Sequence, residues 1–376
     1  MARPVALEVS VPSEDLSYPV KVGAGLLDEV GTTLQRVCPK ARRVAVISDE
    51  NVEPLYGERV RASLEGAGLS VVTHVIPPGE ASKTPERMVG LVSSLVADGL
   101  GRSDAVLALG GGVVGDLAGL VAALFMRGID VVQCPTSLLA QVDASVGGKV
   151  AVDLPEGKNL LGAFAFPRAV VIDPGVLATL PDEELGCGVA EMIKHGALFD
   201  QQHFDAVRDQ ADAIYGRDVA VLGREVATSV ALKAACVIRD PMERSDAGKG
   251  RVALNLGHTL GHALEVTEGY ALKHGQAVAL GLLAAARVSS RLGLTTLDLE
   301  GHIRTALEAL RLPTDLDAYL VPERRSGIVD AMARDKKRGA QRKITYIGLA
   351  ALGEPRVLSL SPEAIWDAVA GPRAQD

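Results

Sequence analysis

The chain has only four cysteines among its 376 residues, Cys38, Cys134, Cys187 and Cys236, and none stands in C-x-x-C spacing. That excludes a disulfide framework and a thiolate zinc site, and the four read as small buried hydrophobes. Long apolar runs are missing too: the longest, Ala277 to Ala286, is about half of what a bilayer crossing needs, and Arg287 ends it. The N-terminus, M-A-R-P-V-A-L-E-V, lacks the apolar core of a secretory signal, so a cytoplasmic home is expected. There is no basic excess. A net charge of −8 offers no general attraction to nucleic acid or anionic membrane, and neither is expected as a partner. Any anion bound here must therefore be held by a local cluster of cations. No repeat or low-complexity segment is present.

What is there is a soluble globular composition, 48% hydrophobic and 23% charged, at a length that suggests two domains. The opening pattern, Leu7 to Val11 and then Tyr18 to Val22 after a turn, predicts a β hairpin or pair. Arg43 to Ile47 is a short buried strand running into Ser48, Asp49, Glu50 and Asn51, and Val71 to Ile76 is another, followed by P-P-G-E-A-S-K. Thr84 caps a helix with Pro85 at its first position. The strand Ala105 to Leu109 runs into G-G-G-V-V-G-D, where glycines let the backbone approach a ligand and the next helix turns its amides toward an anion such as a pyrophosphate. Val131 to Cys134 is a further strand, after which Thr136 and Ser137 start a helix toward Asp143 and Lys149, and Lys158 and Asn159 fall on a loop. Strands alternating with helices imply a parallel sheet. Past Pro181 helical periodicity dominates to about Leu310, which puts a boundary near 182, with a late hairpin at Lys343 to Leu349 and Arg356 to Leu360.

Lysine is scarce, 12 of the 39 basic residues, yet it gathers in the special stretches as Lys83, Lys149, Lys158, Lys194, Lys233, Lys336 and Lys337. A lysine can hold a phosphate as a flexible point charge or shift its pKa, which arginine does not do. Three of seven histidines, His258, His262 and His274, lie between Arg251 and Gly275. On a helix, His258 and His262 share a face at i, i+4, within reach of one metal ion. Spacing alone favours that pair, with Glu191 of A-E-M-I-K the best candidate for a further ligand.

The series S-D-E-N, P-G-E-A-S-K, G-G-G-V-V-G-D-L-A-G, R-G-I-D, L-L-A-Q-V-D-A-S-V-G-G-K, G-K-N-L-L-G-A-F, A-E-M-I-K-H-G, L-N-L-G-H-T-L-G-H-A-L-E, H-G-Q-A-V-A-L-G and D-K-K, in this order over nearly the whole chain, resembles the 3-dehydroquinate synthases of the sugar-phosphate cyclase group. The resemblance implies an α/β architecture: an N-terminal Rossmann-like, parallel-sheet NAD-binding domain, residues 1–182, and a mainly α-helical metal- and substrate-binding domain, residues 183–376. It implies Glu191, His258 and His274 as ligands of zinc or cobalt, with His262 moved to a proton-transferring role. NAD would lie against Asp49, Asn51, Glu80, Lys83, Gly112, Val113, Val114, Gly115, Asp116, Thr136 and Ser137. The substrate would face Asp143, Lys149, Lys158, Asn159, Lys194, Lys233, Arg251, Asn255, His262 and Lys336 or Lys337, and Arg127 would reach into the partner's site across a homodimer interface.

The activity implied is conversion of a phosphorylated keto acid, 3-deoxy-D-arabino-heptulosonate 7-phosphate, to 3-dehydroquinate and phosphate, a step of the shikimate route to aromatic amino acids. Some positions depart from the family's pattern. Val150 and Asp153 stand in a stretch that usually reads Thr-(Gly/Ala)-Val-Asn, and His195 stands where Tyr is common. The lost hydroxyl and the added charge near the phosphate pocket motivate an alternative, a cyclase for an amino analogue or for sedoheptulose 7-phosphate. Further alternatives are a metal-dependent NAD alcohol dehydrogenase and a non-catalytic NAD-sensing protein.

Overall fold

The computed structural model describes residues 16–244, 250–335 and 343–371. The N-terminal half runs β1 (Val20–Val22), α1 (Val30–Val37), β2 (Arg43–Asp49), α2 (Glu58–Gly66), β3 (Ser70–Ile76), α3 (Pro85–Ala97), β4 (Ala105–Gly110), α4 (Gly112–Leu124), β5 (Asp130–Pro135), β6 (Lys149–Leu154), β7 (Gly157–Phe164) and β8 (Ala169–Ile172). Helices then take over: α5 (Asp182–Phe199), α6 (Gln201–Asp209), α7 (Ala211–Tyr215), α8 (Val219–Arg239), α9 (His258–Thr267), α10 (His274–Arg291), α11 (Leu299–Ala309) and α12 (Arg325–Asp335). An antiparallel hairpin, β9 (Ile344–Ala351) with β10 (Glu354–Leu360), and α13 (Pro362–Ala370) follow.

Six strands form one parallel sheet in the order β1-β8-β5-β4-β2-β3. Strand β4 is apolar and buried at every position, as a strand covered on both faces must be. Helices α3 and α4 cover one face, with Met88, Leu91, Leu117 and Val121 joining Ala45, Ile47 and Val106 in one core, and the β6–β7 hairpin lies against α4 through Val150. Helices α1 and α2 cover the other through Leu34, Val60 and Leu64. Thr84 caps α3 by accepting the Arg87 amide at 3.2 Å, with Pro85 in the first turn. From β2 the chain steps outward to β3 and returns on the other side as β4, so winding reverses between β2 and β4. A doubly wound sheet opens its ligand crevice at such a point, beyond the carboxyl ends of the strands.

One local expectation fails, and another lies partly outside the described residues. Val20–Val22 pairs parallel with β8, Val20 opposite Val170, while Leu7 to Val11, the other half of the expected hairpin or pair, lies outside the described residues. Lys158 and Asn159 are not on a loop but at the start of β7, antiparallel to β6. The apolar side chains of this hairpin pack onto α4 rather than into the main sheet, and their weak alternation hides it from the sequence.

In the helical half, close contact is made through glycine. A Cβ on Gly281 would fall 1.9 Å from the Gly257 carbonyl oxygen, and one on Gly275 would fall 2.3 Å from Cys187 Cα. Helix α10 therefore lies backbone to backbone against the N-terminal end of α9 and against α5, an approach no larger residue permits. Among the described residues no helix is long and apolar enough to cross a membrane, and all four cysteines are buried and unpaired.

Candidate active site

That glycine seam brings two helix starts over the middle of a third helix. His258 is the first residue of α9 and His274 the first of α10, and both face Glu191 on α5. Glu191 Oε1 lies 3.3 Å from His274 Nε2 and 3.6 Å from His258 Nε2. Ligand atoms of these three residues all lie within 4.8 Å of one another. Glu191 is fully buried, and neither of its oxygens accepts a well-aligned hydrogen bond, although the Lys194 ammonium stands against Oε2. A buried carboxylate left so costs a protein several kcal/mol unless a cation completes it, by roughly the price of desolvating an ion.

Two nitrogens and one oxygen match the three protein ligands of a catalytic zinc centre. The distal ring nitrogens are already held, His258 Nδ1 by the Leu256 carbonyl at 3.1 Å and His274 Nδ1 by Glu265 Oε1 at 3.3 Å, which leaves each Nε2 aimed at the shared point. The spacing-based pair does not form such a centre. His262 stacks edge-on to His258, ring centroids 5.1 Å apart, but its nitrogen groups with Glu265 and His274 instead of with Glu191. Periodicity puts the two histidines on one face of α9. It cannot show which of them a third helix, α5, will meet.

A chain of alternating charges leads away from this group. Asp143 sits on a wide π-helical turn, Ala140–Ala144, that follows β5. Its Oδ1 accepts Lys233 Nζ from α8 at 2.6 Å and lies 3.5 Å from Nε2 of the fully buried His195. Burial opposes ionisation of Glu191 and Asp143, but Lys194 beside the first and Lys233 and Lys194 beside the second hold both carboxyls well below the usual range. Burial pushes Lys233 down, with Asp143 restoring part of the shift. Lys194 ends above its usual value because Glu191 and Asp143 outweigh its own burial. His258 is pushed well down, first by burial and then by Lys194, so it stays a neutral imidazole ready to ligate. Arg251, also buried, donates to the Gly147 carbonyl at 2.7 Å and the Pro241 carbonyl at 2.8 Å. Asn255 ends the short helical turn that leads from Arg251 to His258.

The crevice between β2 and β4 carries the second set. Asp49 ends β2 and accepts the Asn51 and Val52 amides at 2.9 and 3.0 Å. Gly112, Val113, Val114, Gly115 and Asp116 form the first turn of α4. Thr136 donates its amide to the Gly110 carbonyl at 2.9 Å, and Ser137 lies against Gly111. Lys83, almost fully buried, pairs with Asp116 at 2.6 Å. Burial alone would lower Lys83, but Asp116 and Glu80 leave it above its usual value. Lys158 stands 3.9 Å from Glu80 and over the Tyr270 ring at 4.4 Å, while Lys149 pairs with Glu243. The two sets come together where Gly112 faces Ala144 of the turn that carries Asp143.

One expected residue, Arg127, is not brought here. Arg127 lies on an exposed turn at the far end of α4, about 20 Å of helix away from Gly112. Lys336 and Lys337 lie outside the described residues. Val150 points to the buried side of β6, against Gly119 of α4, and Asp153 turns back to accept the Asn159 amide at 2.7 Å. Residues absent from the sequence expectation include Glu265, Glu243 and Tyr18, whose hydroxyl accepts the Gly147 amide at 2.9 Å. Glu265 follows His258 by seven residues, a two-turn spacing that could have marked it, whereas nothing local marks Glu243 or Tyr18.

Comparison with known proteins follows the same division. Residues 73–187 match the profile of the 3-dehydroquinate synthase N-terminal part, and residues 188–338 that of its C-terminal part. A 3-dehydroquinate synthase of Caulobacter vibrioides is 46% identical over 349 residues, covering 92% of this chain and 93% of that protein. One from Symbiobacterium thermophilum is 47% identical, covering 85% of this chain and 88% of its own. Among solved structures, the 2-epi-5-epi-valiolone synthase of Streptomyces hygroscopicus subsp. jinggangensis, with NAD+ and Zn2+ bound, superposes with a TM-score of 0.82 at 27% identity, over 96% of this chain and 98% of that one.

Proposed function

Since the chain belongs to the 3-dehydroquinate synthase family, we propose that it converts 3-deoxy-D-arabino-heptulosonate 7-phosphate to 3-dehydroquinate and inorganic phosphate, within the shikimate route. The observation that carries this reading is the buried, incompletely satisfied Glu191 facing His258 and His274, with Lys194 against it and Lys233 on the neighbouring Asp143. Glu191, His258 and His274 would hold zinc or cobalt, and the crevice from Asp49 to Ser137 would hold NAD. When bound, NAD supplies a reversible hydride acceptor and the metal acidifies a substrate hydroxyl.

The chain's own residues do the rest. Lys149, Lys158, Lys233 and Arg251 offer the local positive field that an acidic protein needs to take a phosphate and a carboxylate. Each is met by an acid or carbonyl while the substrate is away, so binding exchanges one anion for another. Asp143, kept ionised by Lys233 and Lys194, can accept a substrate hydroxyl, and Lys194 fixes the free side of Glu191. Asn159, Asn255 and His262 add polar contacts, with His262 placed to move a proton, and Lys336 or Lys337 joins from the C-terminal side.

A homodimer completes the site through Arg127. Its support is the exposed Leu124 and Met126 beside it, 50% and 43% accessible, an apolar surface suited to a second copy. The division near residue 182 would separate the cofactor half from the metal half, and the unpaired cysteines fit a cytoplasmic home. Val150 packs inward against Gly119 and the Asp153 carboxylate holds the Asn159 amide, so each has a structural role that calls for no amino or sedoheptulose substrate. The test is purified protein with NAD+ and Zn2+: phosphate should be released from the heptulosonate phosphate with no net NADH. Stoichiometric accumulation of NADH would make it a dehydrogenase, and absence of phosphate release from metal-loaded protein would overturn the reading.

A further inference from the structure

The β6–β7 hairpin and the segment after β3 are joined by a closed circuit of hydrogen bonds through three side chains and backbones. The Asp153 amide donates to the Lys83 carbonyl at 2.8 Å. Asp153 Oδ1 accepts the Asn159 amide at 2.7 Å, and Asn159 Oδ1 accepts Lys83 Nζ at 2.5 Å. From Lys83 the circuit extends to Asp116 in the first turn of α4, at 2.6 Å. Glu80 stands 3.9 Å from both Lys83 and Lys158. Its carboxyl is pushed up chiefly by burial, and the neighbouring Asp153 carboxylate adds to that.

Asp153 is the member that belongs to neither ligand set. Asn159 adopts φ +57°, a left-handed conformation that asparagine tolerates but does not prefer, and the Asp153 carboxylate accepts the amide of that residue. Without this acceptor nothing in the circuit keeps the Asn159 side chain on Lys83, and Lys158 next to it loses its placement over Tyr270. Resting on the assignment of Glu80 and Lys83 to the cofactor and of Lys158 and Asn159 to the substrate, we propose that Asp153 is a positioning residue that couples the two sites, so that ordering one loop orders the other.

The experiment uses metal-loaded full-length protein as wild type, Asp153→Ala and Asp153→Asn. NAD+ affinity is measured by calorimetry, kcat and KM for the heptulosonate phosphate by phosphate release, and hydrogen exchange is followed across residues 154–160. Asp153→Ala should raise both the NAD+ Kd and the substrate KM by roughly tenfold, the size of one hydrogen bond to a charged acceptor, while metal content holds and kcat changes far less. Exchange across 154–160 should speed up. Asp153→Asn should restore both constants, because its amide oxygen can accept the same N–H. A rise in only one constant, no rise in either, or an Asp153→Asn protein as impaired as Asp153→Ala overturns the coupling. If Asp153→Ala does not fold, exchange in the wild type decides: protection of 154–160 on adding NAD+ alone supports the coupling, and unchanged exchange rejects it. Failure of the wild type to bind NAD+ or release phosphate would instead sink the functional reading.

Discussion

Among single residues, the two imidazoles of the metal group differ in what orients them. His258 is held by a main-chain carbonyl, which mutation cannot remove, but His274 is held by the Glu265 side chain. Glu265 is itself buried and kept below its usual pKa: burial would raise it, but His274 beside it overcomes that. A carboxylate behind a ligating histidine fixes ring orientation and raises basicity, and its loss typically weakens metal affinity by about 10–100-fold. Glu265→Ala should therefore lose metal affinity on that scale in chelator competition, with Glu265→Gln in between because its amide oxygen still accepts Nδ1–H. Equal affinities for all three proteins would show that Glu265 only fills space. The residue types of the site were legible because acids, imidazoles and lysines are few and grouped. Which histidine pairs with Glu191 was not, since i, i+4 spacing describes one helix and the pairing is made by three.

At the level of elements, that pairing depends on how closely α10 approaches α9. Gly281 meets the carbonyl oxygen of Gly257, and Gly257 at φ +77° is the cap from which His258 leaves. A methyl group 1.9 Å from a carbonyl oxygen has no rotamer to escape into, so the helices must part. Overpacking of this kind costs about 1–3 kcal/mol or more. Gly281→Ala should lower the melting temperature and weaken metal binding although every ligand is present. A variant with unchanged melting and full metal content would mean that the seam does not set the site. Elements such as β2, β4 and α3 were readable from unbroken apolar runs and a Thr-Pro cap. The π-helical turn bearing Asp143 and the β6–β7 hairpin were not, because each owes its shape to a neighbour: Lys233 and His195 around the turn, Gly119 beneath Val150.

Across the whole molecule, the order of the sheet and the meeting of its two halves lie beyond local pattern. Nothing in Val20–Val22 shows that it will pair with a strand some 150 residues later. The uneven placement of histidine, however, is plain from the sequence: only His74 precedes α5, and the other six lie on it or after it. Acid should therefore act first on the helical half. His203 on α6 is buried, with Nδ1 3.1 Å from Glu225 and Nε2 2.8 Å from Ser229 on α8. Burial lowers its pKa, and Glu225 offsets only part of that. The folded value thus lies below the unfolded one of about 6.5, and on acidification the unfolded chain binds the proton first. Stability from this group is full above that value and is lost as pH falls below it. His195 shifts in the same direction for the same leading reason. Between pH 7.5 and 5.5 the wild type, stripped of metal, should lose more melting temperature than His203→Gln. The gap should be about 1 °C for each kcal/mol involved, because a chain of this length has a large unfolding entropy. Gln can keep both neighbours bonded without titrating, so its curve should be the flatter one. Parallel curves for the two proteins would show that His203 takes no part in the acid response.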